Sequence, residues 1–335
     1  MNTSSSSDMP LPHEAAPTKP CCAASRAGAG ASPALPSPPA SGPAQALAPE
    51  PRPTVFLPAA TFLMGTDYAH ANPGDGEGPV RPVSLSAFSI DASPVTNADF
   101  ARFVHATGHV TEAERYGTSF VFQGQIPEDR YDELVEDTLA AAPWWCLVRG
   151  ACWHAPQGPG SSIDARLAHP VVHVSWNDAM AYAAWSGATL PTEAQWEYAA
   201  RGGLEQKLYP WGDELAPHGR FLCNVWQGEF PFLNTAADGY AATSPVDAFP
   251  PNGHGLLSVT GNTWEWCADF WSTDFSRAPA RDPQGPPAGD ARVMKGGSFL
   301  CHASYCNRYR PAARTMNTPD SSASNIGFRC AGPAR

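Results

Sequence analysis

Apolar residues first gather into runs at Val55. Two early runs, Thr54-Val55-Phe56-Leu57 and Val83-Ser84-Leu85-Ser86-Ala87-Phe88, predict strands, the second alternating as a half-buried strand does. Three later segments change to helical spacing, each behind a capping residue. The first opens at Thr96, with Asp99 at the third helical position and Phe100, Phe103 and Val104 on one stripe. The second opens at Ser175: Asp178 completes its capping box, Trp176, Ala179, Met180, Ala183 and Ala184 form the inward face, and Gly187 stops it. The third opens at Thr192, with Gln195 three residues on, Trp196 and Ala200 a turn apart, and Arg201-Gly202-Gly203 as its end. Beyond Gly203 the pattern is one of short strands and turns, with no repeat at a fixed period. Residues 1–53 are dominated by Ala, Pro, Ser and Gly with almost no aromatic content, so they predict a disordered tail ahead of one folded domain, 54–335.

Composition sharpens the fold class. With 36 Pro and 29 Gly the domain is expected to be a loop-rich α+β body with little regular structure, and 11 Trp and 15 Phe supply a sizeable core. A formal charge of -11 disfavours phosphate backbones and anionic membranes as partners. No run of eighteen apolar residues predicts a membrane span, and the first twenty residues hold one Lys and no legible secretory signal, so a cytoplasmic protein is expected. In a reducing compartment its nine cysteines are expected to be catalytic, metal-bound or buried rather than paired.

Chemistry concentrates in Gly296-Gly297-Ser298-Phe299-Leu300-Cys301-His302-Ala303-Ser304-Tyr305-Cys306. Cys301 and Cys306 are compatible with a strained disulfide, a soft-metal site or a redox pair, and their spacing does not separate these. Zinc would need further ligands, for which His302 and His254 are the recruits in reach of the sequence. Two thiolates without other ligands suit low-coordinate Cu(I), leaving a position open for a substrate thiol. Cys146, Cys152, Cys223 and Cys267 read as buried small hydrophobes. Glu265, between Trp264 and Trp266, needs a cation if buried, and a bound metal would serve.

At these residues the chain resembles the formylglycine-generating enzymes, or sulfatase-modifying factors, whose fold is related to C-type lectins. The resemblance covers nearly all of 55–333. It includes Phe62-Leu63-Met64-Gly65, Pro94-Val95-Thr96-Asn97, Asn224-Val225-Trp226-Gln227-Gly228-Glu229-Phe230-Pro231, Gly261-Asn262-Thr263-Trp264-Glu265-Trp266 and Gly327-Phe328-Arg329-Cys330. Inactive paralogues lack the two thiols that this chain has, so the active oxidase is expected over a sulfatase-binding scaffold. The resemblance implies that Cys301 and Cys306 hold Cu(I) and that O2 is the co-substrate. The substrate is the cysteine of a Cys-x-Pro-x-Arg segment in an unfolded sulfatase polypeptide, which becomes formylglycine with release of sulfide. Ser298 and Trp264 match residues of the oxygen and thiol pocket. Ala113, Trp144, Tyr305, Ser322 and Asn325 match the substrate groove, and a monomer is expected because the groove must admit an extended chain.

Two calcium sites are implied in the same way, one from Asn224, Val225, Asp238 and Tyr240, the other from Ser258, Gly261, Thr263 and Glu265. Gly117-Thr118 replaces the family's Gly-Asp, removing a carboxylate for the substrate arginine and leaving Glu114 as a substitute. Secreted relatives carry two disulfides in this fold, and three of those positions are Ala183, Ala200 and Pro311 here, leaving only Cys330. Within the tail, Cys22-Ala23-Ala24-Ser25-Arg26 has the relaxed form Cys-x-Ala-x-Arg; a flexible linker of roughly thirty residues spans roughly 30 Å, which puts an intramolecular visit, for self-modification or autoinhibition, within geometric reach, the alternative being a chance match in an Ala-rich tail.

Overall fold

A computed structural model describes residues 23–26, 49–72 and 74–334. Regular structure is sparse and divided among five small sheets. Thr54–Leu57 pairs antiparallel with Phe88–Asp91, and Ala331–Pro333 covers the other edge of that strand, tying the two ends of the domain together. The central sheet runs Arg314–Asn317, Arg292–Lys295, Trp264–Phe270, Ile326–Gly327 in spatial order. Three-stranded sheets of Ala280–Arg281, Arg81–Leu85 and Ala60–Met64, and of Thr118–Phe122, Ala142–Arg149 and Val135–Leu139, flank it, with a small hairpin at 228–234. Among the described residues no helix is long and apolar enough to cross a membrane.

The three expected helices form where the capping signatures place them, over Asn97–Thr107, Trp176–Trp185 and Glu193–Arg201. In each, the capping hydroxyl accepts from the third helical N–H while that residue's side chain accepts from the cap N–H, satisfying two otherwise orphaned donors. The inward face of the second differs in detail: Tyr182 is buried beside Ala179 and Ala183, whereas Ala184 faces solvent. The run 83–88 is not one strand but the end of one and the start of another. The chain turns where Ser86 donates through its N–H and Oγ to the Asp282 carboxylate at 2.7 and 2.8 Å.

The larger apolar cluster holds Trp145, Trp264, Trp266, Phe299, Phe328 and both cysteines of the candidate site. A second packs under the helix Glu193–Arg201 around Trp196. Several charges are buried with them as ion pairs: Lys295 with Glu197 at 3.0 Å, Arg314 with Glu193 at 2.6 Å, Arg329 with Glu265 at 2.6 Å.

Candidate active site

The strand Arg292–Lys295 ends in Gly296 and Gly297, both with positive φ (93° and 74°), which turns the chain sharply into Ser298. A Cβ on Gly297 would stand 2.8 Å from Tyr309 Cα, so only glycine lets the start of this loop lie against its end. Within the loop, the His302 carbonyl accepts from the N–H groups of Tyr305, Cys306 and Asn307, folding 301–307 into a tight knot. The result brings Cys301 Sγ and Cys306 Sγ to 2.7 Å, both fully buried.

A chain of hydrogen bonds then links the sequence-predicted residues. Trp264 N–H donates to the Asn325 carbonyl at 2.9 Å, Asn325 Nδ2 donates to Ser298 Oγ at 3.0 Å, and Ser298 N–H donates to Cys301 Sγ at 3.4 Å. An N–H aimed at sulfur favours the thiolate. Because Ser298 Oγ also accepts from Leu300 N–H, its own proton remains for a further acceptor, and the buried Trp264 indole N–H likewise has none.

The loop is clamped from outside. Arg308 forms two bonds to Asp75 (2.5 and 3.1 Å) and Arg310 two to Glu77 (2.6 and 2.8 Å), while Asn72 Nδ2 donates to the Cys306 carbonyl at 3.3 Å. One wall beside Cys306 is aromatic and half open to solvent: Tyr305 stacks on Phe230 at 4.7 Å, and Trp144 meets both edge-on at 5.2 and 5.4 Å. Phe230 carries no local signature in the sequence that marks it as part of this wall. Exposed Phe232 and Leu233 extend the apolar rim at the hairpin tip.

On the other side the strand Thr118–Phe122 pairs with 322–324, and Ala113, Ser322 and Asn325 are buried there with residues 23–26 in place. Ser322 Oγ meets Ser119 Oγ at 2.8 Å, which in turn meets His173 Nδ1 at 2.8 Å; His173 Nε2 donates to the Pro156 carbonyl at 2.9 Å. His173 is fully buried, and burial lowers its pKa from 6.5 to about 3. It is therefore neutral in the fold but protonated in the unfolded chain below pH 6.5, so stability is lost as pH falls from 6.5 towards 3. This group alone is expected to make unfolding about 2 kcal/mol easier at pH 5 than at pH 7.5. Urea titrations at the two pH values should show a smaller difference in His173→Asn, chosen because His173 has a φ of 59° that Asn tolerates. An equal difference in both chains would assign the acid sensitivity elsewhere.

Several expectations meet different neighbours. Glu265 is paired with Arg329, whose Nε and second terminal nitrogen bond it at 2.6 and 2.7 Å, with Trp196 Nε1 donating at 2.8 Å. Ser258 Oγ donates to the Val246 carbonyl at 2.9 Å. In the set Ser258, Gly261, Thr263 and Glu265 the one carboxylate is thus held by Arg329, while Thr263 Oγ1 is buried without a hydrogen-bond partner. The first set fits better: Asn224 Oδ1 is buried with no donor, and the Val225 carbonyl and Asp238 Oδ2 converge on a single donor, Gln227 Nε2, where a hard cation would find the same oxygens. Tyr240 contributes its N–H to Asp238 Oδ1 at 2.9 Å.

Glu114 Oε2 accepts from the N–H and hydroxyl of Thr111 at 2.8 and 2.6 Å, capping the short helix Glu112–Tyr116, while its Oε1 stands 3.5 Å from His154 Nε2. His302 bonds Ser304 at 2.8 Å and His254 packs against Tyr198, and among the described residues no third His, Cys, Asp or Glu joins the cysteine pair. Two buried soft donors without a harder companion fit a soft, low-coordinate ion and not zinc. Cys146, Cys152, Cys223 and Cys267 are buried, and burial pushes each thiol above its ordinary pKa, as it does Cys330.

Residues 41–334 match the family model of the sulfatase-modifying factor enzyme 1-like domain. The chain is 61% identical over 281 residues to the formylglycine-generating enzyme of Thermomonospora curvata, covering 83% of this chain and 92% of that one. It is 55% identical over 277 residues to the formylglycine-generating enzyme of Bos taurus, covering 83% and 74%. The fold is similar to that of PvdO from Pseudomonas aeruginosa, with a TM-score of 0.61, 25% identity, and coverage of 88% of this chain and 100% of that one. On these grounds, and with both thiols in place, the chain belongs to the formylglycine-generating enzyme family.

Proposed function

We propose that this chain oxidises the cysteine of a Cys-x-Pro-x-Arg segment in sulfatase polypeptides to formylglycine, with O2 as oxidant and Cu(I) held by Cys301 and Cys306. The observation that carries the reading is the facing pair of buried sulfurs beside an open aromatic wall. Copper, when bound, supplies one-electron chemistry with O2 and a position for a third thiolate. The chain's own residues do the rest. The Ser298 N–H stabilises negative charge on Cys301, and the Ser298 hydroxyl and Trp264 indole are unspent donors for a charged sulfur or oxygen entering the pocket. Trp144, Phe230 and Tyr305 grip the peptide beside its cysteine, while complete burial of the two thiols keeps bulk water from the reacting carbon.

Ca2+ at Asn224, Val225, Asp238 and Tyr240 would fix the loop that leads into Trp226, whose N–H bonds the Cys301 carbonyl at 3.1 Å. The buried thiols suit a reducing compartment such as the cytoplasm, and the groove suits a monomer acting on unfolded chains. Aerobic incubation of the copper-loaded chain with a Cys-x-Pro-x-Arg peptide, followed by mass spectrometry, is expected to show the cysteine converted to an aldehyde. Peptide that is bound yet keeps its cysteine intact would turn the reading into one of a sulfatase-binding scaffold.

A further inference from the structure

Four residues of the N-terminal region, Ala23, Ala24, Ser25 and Arg26, are seated on the domain; Cys22 itself lies outside the described residues. Ala24 is only 1% exposed and joins the same apolar cluster as Cys301 and Cys306, with Ala23 packed against it. Its carbonyl accepts from Asn317 Nδ2 at 2.7 Å, and the Arg26 N–H donates to Ser321 Oγ at 2.9 Å. The Arg26 guanidinium lies 4.0 Å from the centroid of the Tyr116 ring and donates to the Thr118 carbonyl. Backbone bonds, one buried small side chain and one cation over an aromatic face are how a groove holds a short peptide. These partners border the groove positions already described: Tyr116 ends the helix that carries Ala113, and Ser321 precedes Ser322.

We infer that residues 23–26 are a tethered ligand of the chain's own peptide groove, which an incoming polypeptide must displace. The identity of that polypeptide rests on the proposed function. In the register Cys22-Ala23-Ala24-Ser25-Arg26, Ala24 occupies the place of the proline of Cys-x-Pro-x-Arg and Arg26 that of its arginine.

The contacts are built for displacement rather than permanence. Among the described residues no carboxylate makes an ion pair with the Arg26 guanidinium, Asp320 and Glu112 acting on it only from farther off, and its buried Nε has no acceptor. Among the described residues its direct acceptor is a carbonyl, that of Thr118, where a carboxylate would have made a charge-assisted pair. Such a ligand binds weakly when free, because part of the desolvation of the cation is uncompensated. Tethering changes the balance: the ligand belongs to the same chain as the groove, and a tethered ligand is presented at an effective concentration on the order of millimolar. Weak intrinsic affinity at high local concentration produces competition that raises an apparent KM and leaves kcat alone.

The test uses the full chain, its Arg26→Ala and Arg26→Lys variants, and a fluorescent peptide with Ser in place of the cysteine of Cys-x-Pro-x-Arg, so that binding is read without turnover. Anisotropy is expected to show Kd about tenfold lower in Arg26→Ala, with Arg26→Lys between, since Lys keeps the charge but not the flat fork. In turnover of the cysteine peptide, KM should fall by the same factor at unchanged kcat. Equal Kd in wild type and Arg26→Ala overturns the inference, and persisting turnover would then leave the proposed function standing. A lower Kd without any turnover upholds the inference and removes the oxidase reading. If neither chain binds the peptide, the groove is not a peptide site and the inference falls with it.

Discussion

Cys306→Ser is expected to lower aldehyde formation on the order of 10³-fold or more, with Kd for the unreactive Ser-containing peptide changed by less than about threefold. The substitution is nearly isosteric, so the knot of bonds around the His302 carbonyl, which uses only the backbone of residue 306, is kept. What changes is the donor: a soft sulfur facing Cys301 at 2.7 Å becomes a hard hydroxyl that a soft ion binds poorly. The size of the loss separates two roles. Groups that merely support a metal ligand typically cost ~10–100-fold when removed, whereas removing one of only two ligands goes well beyond that. A Cu(I) competition titration with a colorimetric chelator supplies a readout independent of turnover. Activity within tenfold of wild type, with unaltered copper affinity, would show that the pair is not the ligand set.

Lys295→Met is expected to lower unfolding stability by about 3–5 kcal/mol, the cost of stranding a buried ionic partner, out of the 5–15 kcal/mol typical of a folded domain. Lys295 is fully buried, with its ammonium 3.0 Å from Glu197 and 3.6 Å from Glu193. Burial by itself pushes the Glu197 carboxyl up, but Lys295 and Arg201 outweigh it and hold the group at about 2. Because that folded pKa lies below the ordinary 4.5, Glu197 contributes stability that is present above pH 4.5 and lost as pH falls towards 2. Methionine fills the volume but leaves the carboxylate with Arg201 alone, so the variant should be weaker at pH 7 and should lose less between pH 5 and pH 3. Urea denaturation at the three pH values checks both parts. A loss under 1 kcal/mol would mean that Arg201 and Arg314 suffice for the two carboxylates.

The helices were legible because each begins with a local signature, a hydroxyl followed three residues on by Asp or Gln, ahead of an apolar stripe. Thr111 and Glu114 make the same box, yet the five-residue helix behind them has no stripe, so nothing drew notice to it. The cysteine pair and its Gly-Gly turn were legible for the same local reason. The neutralisation of Glu265 was not, since its guanidinium arrives from a strand end 64 positions away, and a carboxylate between indoles advertises a missing cation without naming it. Phe230 gained its role only through the stacking that its hairpin permits. The landing site of Arg26 was hidden likewise: its direct contacts are a backbone carbonyl and an aromatic face, and the acids that act on it, Asp320 and Glu112, come from separate segments.

The clamp on the cysteine loop has a consequence for biosynthesis. Asp75 and Glu77 stand 233 positions ahead of the arginines they hold. During translation the acidic jaw leaves the ribosome more than two hundred residues ahead of the loop carrying the thiols and waits without its cations. A closure of such sequence separation forms late in folding, after the entropy of a very long loop has been overcome. The cysteine loop therefore cannot be clamped until most of the domain has been made.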